Sequence, residues 1–99
     1  MIRDLDSLTA EMELWISQVL PERSPFDTAT KIVEEASELL HALHHKGDVA
    51  SECADILVLL LDVALLEGFD LQEAFEKKME INRNRTWERR NGSLKHQAD

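Results

Sequence analysis

Residues 31–62 read KIVEEASELLHALHHKGDVASECADILVLLLD, and this stretch decides the fold. Ile32, Val33, Ala36, Leu39, Leu40 and Leu43 recur at helical spacing. Gly47 predicts a helix stop and Asp48 a new start. A turn this short makes the two helices antiparallel neighbours. From Cys53 to Leu66, 14 residues, only Asp55 and Asp62 are polar. A helix apolar on all sides is expected to be buried on all sides. It is nevertheless too short and too acidic to cross a membrane.

Outward from that hairpin, the pattern stays helical. Leu5, Leu8, Met12, Trp15, Ile16 and Val19 predict a first helix over 4–20, ended by Pro21, with Trp15 in the core. Ser24-Pro25-Phe26-Asp27 predicts a capping box opening the second helix, which runs to about 46. The third spans about 49–67. Gly68-Phe69-Asp70 is a turn, and Asp70 with Glu73 caps a fourth helix over about 71–87. The remainder, ERRNGSLKHQAD at 88–99, is polar and expected to fray. The chain reads as all-α, a single domain over 1–99. Four helices of this size cannot bury the third alone, so a partner subunit is expected, most simply in a symmetric dimer.

Three Gly, two Pro and no Tyr fit helices better than sheet. The net charge of -9 repels phosphate backbones and argues against nucleic-acid binding. An anionic substrate would need cations to bridge it to acidic side chains. Cys53, the single cysteine, has no internal disulfide partner, which fits a reducing cytoplasm, and its place in the third helix predicts a buried, inert thiol. The segment MIRDLDSLTAEM has acids where a signal peptide needs an apolar run.

Five carboxylates crowd this apolar hairpin. Glu35 and Glu38 lie one turn apart on the shoulder of the second helix's stripe, and Glu34 points further to solvent. Glu52 and Asp55 are one turn apart on the third helix. At roughly 1.5 Å per residue, Glu38 and Asp55 stand at nearly equal heights from the turn. Converging acids without cations repel one another, and an oxygen-only cluster suits Mg²⁺ or Mn²⁺. A solvated acidic face would explain Glu34 but not Asp55, which sits inside the apolar helix. On the fourth helix, Lys78, Asn82 and Arg85 continue the stripe of Leu71, Ala74 and Phe75. They can pair with the acids, or hold a metal-bound polyphosphate.

Other residues fit blander roles. Glu38-Leu39-Leu40-His41 matches half of a di-iron motif, but Glu52-Cys53-Ala54-Asp55 carries no His, so His41, His44 and His45 read as surface histidines. Asp62, two turns after Asp55 on the same face, is expected to pair with an Arg across the dimer, the alternative being that it extends the acidic site. Phe26 and Trp87 are better placed than Trp15 to meet a base.

Glu34-Glu35-Ala36-Ser37-Glu38 followed by Glu52-Cys53-Ala54-Asp55 resembles the MazG-like nucleotide pyrophosphohydrolases, of the all-α NTP pyrophosphatase superfamily. The resemblance spans about 25–87. It includes Lys31, the turn Gly68-Phe69-Asp70-Leu71, and Lys78, Asn82 and Arg85 in KKMEINRNR. It implies a dimer or dimer of dimers that hydrolyses a nucleoside triphosphate, usually a deoxynucleotide, to the monophosphate and pyrophosphate, cleansing the nucleotide pool. Glu35, Glu38, Glu52 and Asp55 would bind Mg²⁺, with Mn²⁺ a possible substitute. Glu34 would add a ligand or orient water. Lys31, Lys78, Asn82 and Arg85 would touch the nucleotide, in part from a neighbouring subunit. The alternative is a noncatalytic helical homo-oligomeric interaction module.

Overall fold

The computed structural model describes residues 4–90 and 93–96. Four helices follow in order: α1 (Leu5–Val19), α2 (Pro25–His45), α3 (Val49–Glu67) and α4 (Leu71–Arg83). Two short strands come last, β1 (Trp87–Arg90) and β2 (Ser93–His96). None of the helices described is long and apolar enough to cross a membrane.

Each helix starts where a side chain satisfies its free N–H groups. Asp4, Asp48 and Asp70 accept from the backbone N–H of Ser7, Ser51 and Glu73. The capping box at α2 is complete: Ser24 Oγ accepts from the Asp27 N–H at 3.1 Å, and Asp27 Oδ2 accepts from the Ser24 N–H at 3.0 Å. The α2–α3 turn differs from expectation in one detail. Lys46, not Gly47, takes the left-handed conformation, with φ 55°. Gly47 is needed instead for close approach, because a Cβ there would lie 3.2 Å from the Ala42 Cβ.

The α2 and α3 helices pack most extensively, α1 lies on α3, and α4 touches α1 lightly. The core is small. Met12, Ile16 and Leu61 are buried, with Leu5, Leu8, Val58, Leu65 and Leu71 packed around them. The expectation that α3 is buried on all sides does not hold for a single chain: Leu57 and Leu60 are exposed, and so is Cys53. Leu40, Leu43, Phe75 and Ile81 are exposed as well. One copy thus leaves apolar side chains of α2, α3 and α4 open to solvent.

Two further expectations are corrected. The last helix stops at Arg83 rather than running to Trp87. Trp87 Nε1 donates to the Asn82 carbonyl at 3.2 Å, so the chain turns off the helix axis there. The stretch expected to fray pairs as an antiparallel hairpin, with Trp87 opposite His96 and Arg90 opposite Ser93. Its residues 91, 92 and 97–99 lie outside the described residues.

Asp62 is the most deeply buried side chain, at 0% exposure. It pairs within the chain, not across a dimer. Arg23 Nε donates to both its carboxylate oxygens, at 2.8 and 3.0 Å, and Thr28 Oγ1 donates to Oδ2 at 2.9 Å. Arg23 Nη1 also donates to the Leu20 carbonyl at 3.0 Å. This one pair ties the α1–α2 turn to the middle of α3. Removing one partner of a buried pair strands the other charge, so Arg23→Met should cost about 3–5 kcal/mol in urea unfolding. Arg23→Met/Asp62→Leu, which leaves no stranded charge, should recover most of that loss.

Candidate active site

The α2–α3 hairpin brings three of the five acids together. Carboxylate oxygens of Glu35, Glu52 and Asp55 all lie within 4.8 Å of one another. This differs from the equal-height estimate, which placed Glu38 beside Asp55. Glu35 is buried at 7% exposure, Glu52 is half-buried and Asp55 is exposed. Glu38 is exposed on the far side of Glu52, where both line a second hollow with His41 and Asp48. Glu34 points to solvent as expected. Lys31 Nζ lies 3.2 Å from Glu34 Oε2 and 3.5 Å from Glu35 Oε1.

The electrostatics of this cluster are unresolved within the chain. Burial, the charge of Glu38, and the proximity and charge of Glu35 and Asp55 hold the Glu52 carboxyl above its ordinary range. Glu35 Oε2 and Glu52 Oε2 are buried and accept no hydrogen bond from any described residue. A buried carboxylate oxygen without a partner is costly. An oxygen-only set with two such orphans fits a hard divalent cation such as Mg²⁺ or Mn²⁺. No histidine joins the group among the described residues; His41 and His45 stack on each other with ring centroids 4.2 Å apart, exposed.

Beside the cluster lies a cavity of about 440 Å³. Lys31, Glu35 and Asp55 form one end, and Arg23, Thr28 and Asp62 line it too. Its apolar wall includes Trp15, Leu20 and Val58. Trp15, expected in the core, is 54% exposed and faces this space. Phe26, expected to meet a base, is exposed and lines none of it. Sequence reasoning also missed Arg23. Its only signal was its position two residues after the helix-ending Pro21.

The fourth helix contributes nothing to this cavity. Lys78 is exposed, Asn82 and Arg85 are half-buried, and Arg85 falls beyond the end of α4. Arg85 Nε is buried without a hydrogen-bond acceptor among the described residues. Among the described residues, Lys78 and Arg85 form no salt bridge with the five acids, and Lys31 makes the contacts with them.

Known proteins resemble this chain in sequence and fold. The sequence profile of the phosphoribosyl-ATP pyrophosphohydrolase family matches residues 6–82. A dATP/dGTP diphosphohydrolase of cyanophage S-2L is 41% identical over 90 residues, spanning 90% of this chain and 84% of its own length. A dATP/dGTP diphosphohydrolase of Salmonella phage PMBT28 is 36% identical over 86 residues, which are 86% of this chain but 29% of that longer protein. A solved cyanophage S-2L MazG-like pyrophosphohydrolase, bound to dGDP and three catalytic Mn²⁺ ions per active site, superposes with a TM-score of 0.82 at 37% identity, covering 98% of this chain and 100% of that one. Acids paired across an antiparallel helical hairpin, a profile match over most of the chain and relatives alike over nearly all of it place this protein among the MazG-like nucleotide pyrophosphohydrolases, in the all-α NTP pyrophosphatase superfamily.

Proposed function

We propose that the protein hydrolyses dATP and dGTP to the monophosphate and pyrophosphate, as a single domain acting on the cytoplasmic nucleotide pool. The observation that carries this reading is the group of Glu35, Glu52 and Asp55, with its two buried orphan oxygens, at the end of a nucleotide-sized cavity. The dGDP and Mn²⁺ of the solved relative support it. Glu35, Glu52 and Asp55 hold the cations, and Glu38 joins them from the far side of Glu52. Bound there, the cations offset phosphate charge and lower the pKa of an attacking water. Lys31 is placed to balance the α-phosphate. Glu34 and Glu38 orient the water and receive its proton. The water oxygen bonds to the α-phosphorus, the α–β bond breaks, and pyrophosphate leaves. The apolar wall with Trp15 keeps bulk water from the nucleoside. Positioning and electrostatics supply the rate.

Lys78, Asn82 and Arg85 hold the outer phosphates of a substrate bound to a neighbouring subunit, in a dimer or dimer of dimers. The exposed apolar faces of α2, α3 and α4 support such an assembly, and the cavity lining supports a contribution in trans.

Pyrophosphate release across a panel of NTPs and dNTPs tests the reaction. Release is expected from dATP and dGTP with Mg²⁺ or Mn²⁺, and none with EDTA. Glu35→Gln and Glu38→Gln should keep the fold and lose activity. A folded protein that is silent on the panel and binds no cation would instead be the interaction module.

Metal binding is separable by melting. The Glu52 carboxyl is raised in the fold, so its ionised form opposes folding. That cost is absent below the ordinary carboxylate range and complete once pH exceeds the raised value. In EDTA at neutral pH, Glu52→Gln should therefore melt at or above the parent. Mn²⁺ at about 100 times its Kd adds about 2.7 kcal/mol to the parent, a rise on the order of 10 °C. The variant should show little of that rise.

Mixing tests the trans arrangement. Lys78→Ala and Glu35→Gln should each be inactive alone. Unfolded and refolded together at equal amounts, they should regain about a quarter of parental activity, as expected for random dimer pairing. No recovery would place Lys78 outside the partner's site.

A further inference from the structure

Arg23 lines the same cavity as the acidic group, and its hydrogen-bonding capacity is not used up. A guanidinium carries five N–H hydrogens. Nε and Nη2 donate to Asp62, and Nη1 donates to the Leu20 carbonyl. One hydrogen on each terminal nitrogen is left without an acceptor among the described residues. The side chain is only 11% exposed, and the pair with Asp62 fixes its plane. A donor that is locked, charged and half spent, in a ligand cavity, is built to meet an acceptor.

The position suits the base end of a nucleotide. Asp55 belongs to the acidic group, and Asp62 holds Arg23. Seven residues of α3 separate them, about 10 Å at helical rise. That is on the scale of a nucleotide from phosphate to base. Phosphates at the acids leave the base between the Trp15 side of the cavity and Arg23. Apart from the Trp15 indole N–H, the other polar groups there have little left to donate. Asp27 and Asp62 accept, from the Ser24 N–H and from Arg23 and Thr28. Thr28 donates to Asp62, and Lys31 is engaged by Glu34 and Glu35.

Adenine and guanine carry different groups at position 6, but both present N7 as an acceptor, and pyrimidines have no such atom. We infer that Arg23 donates a hydrogen bond to N7 of a purine lodged in this cavity, and so selects purine over pyrimidine nucleotides; the inference rests on the nucleotide pyrophosphohydrolase reading of the acidic group. Arg23 is then a specificity-determining residue, and Asp62 is the residue that positions it.

The test uses 7-deaza-dATP and 7-deaza-dGTP, which keep ring size and the pairing edge but lose the N7 acceptor. Relative to dATP and dGTP, kcat/KM should fall roughly 10- to 100-fold, chiefly through KM, the usual worth of a hydrogen bond to a charged group. Equal turnover of the deaza and parent substrates overturns the inference and leaves the pyrophosphohydrolase reading intact. No pyrophosphate from dATP or dGTP with Mn²⁺ overturns both. Arg23→Met/Asp62→Leu removes the donor without stranding a charge, and circular dichroism reports whether it folds. In that variant the parent and deaza substrates should be turned over at the same reduced rate. A deaza penalty that survives in the folded variant assigns the N7 contact to another donor and overturns the role of Arg23.

Discussion

Like-charge repulsion at the α2–α3 hairpin is the constraint around which the rest of this fold is arranged. Three carboxylates within 4.8 Å of one another, one of them buried, oppose the packing that brings them together. Like charges that close repel one another. The chain resists it with features that do not depend on the site. The capping box on α2, the Asp48 cap on α3 and the close approach of Gly47 to Ala42 fix the hairpin's register. Lys31 relieves part of the charge from the solvent side. What remains appears in the raised Glu52 carboxyl and the two orphan oxygens. A fold that holds this much uncompensated negative charge in place is pre-organised for cations, because the cost of assembling the ligands has already been met by helix packing.

Helix positions and caps were legible because they are local. Ser24 with Asp27, Asp48, Asp70 and Gly68 act on backbone groups within a few residues, and each does in the structure what its sequence position implies. The family motif was legible for the same reason, since its spacing encodes one turn of helix. Which acids meet was not. A one-dimensional height estimate ignores the roll of each helix about its axis, and that roll groups Glu35 with Glu52 and Asp55, while Glu38 stands near enough to Glu52 for its charge to act there. Trp15 was misread because periodicity marks an apolar stripe without saying whether a neighbour covers it. Its stripe is covered at Met12 and Ile16 and left open at Trp15. The β1–β2 hairpin was missed because its residues are polar and offer no alternating apolar face.

The exposed apolar surface and the separation of α4 from the cavity both fit the assembly proposed above. Leu40, Leu43, Leu57 and Leu60 are exposed on the acidic helices, and Lys78 and Arg85 reach none of the five acids of α2 and α3 among the described residues. A symmetric partner seated on the apolar faces would answer both. Association would then be driven by apolar burial, which does not depend on charge, while the cationic residues set the orientation. That division suits a strongly acidic protein, whose copies repel one another at long range and need a large short-range gain to pair.

The Arg23–Asp62 pair deserves a reason beyond stability. Burying two ions is expensive, and well-packed apolar residues of similar size commonly serve as well or better. A pair held only for stability would have no need to sit on a cavity wall or to keep donors free. Here the carboxylate is sealed at 0% exposure, Thr28 supports it, and the guanidinium borders the space beside the acidic group. Such an arrangement gives a donor whose direction is set by the core rather than by solvent. It also links the two ends of the cavity through one rigid element, since Asp55 and Asp62 share α3. A shift of α3 that disturbed the acidic group would move the Arg23 donor with it, because Asp55 and the Asp62 that holds Arg23 share that helix.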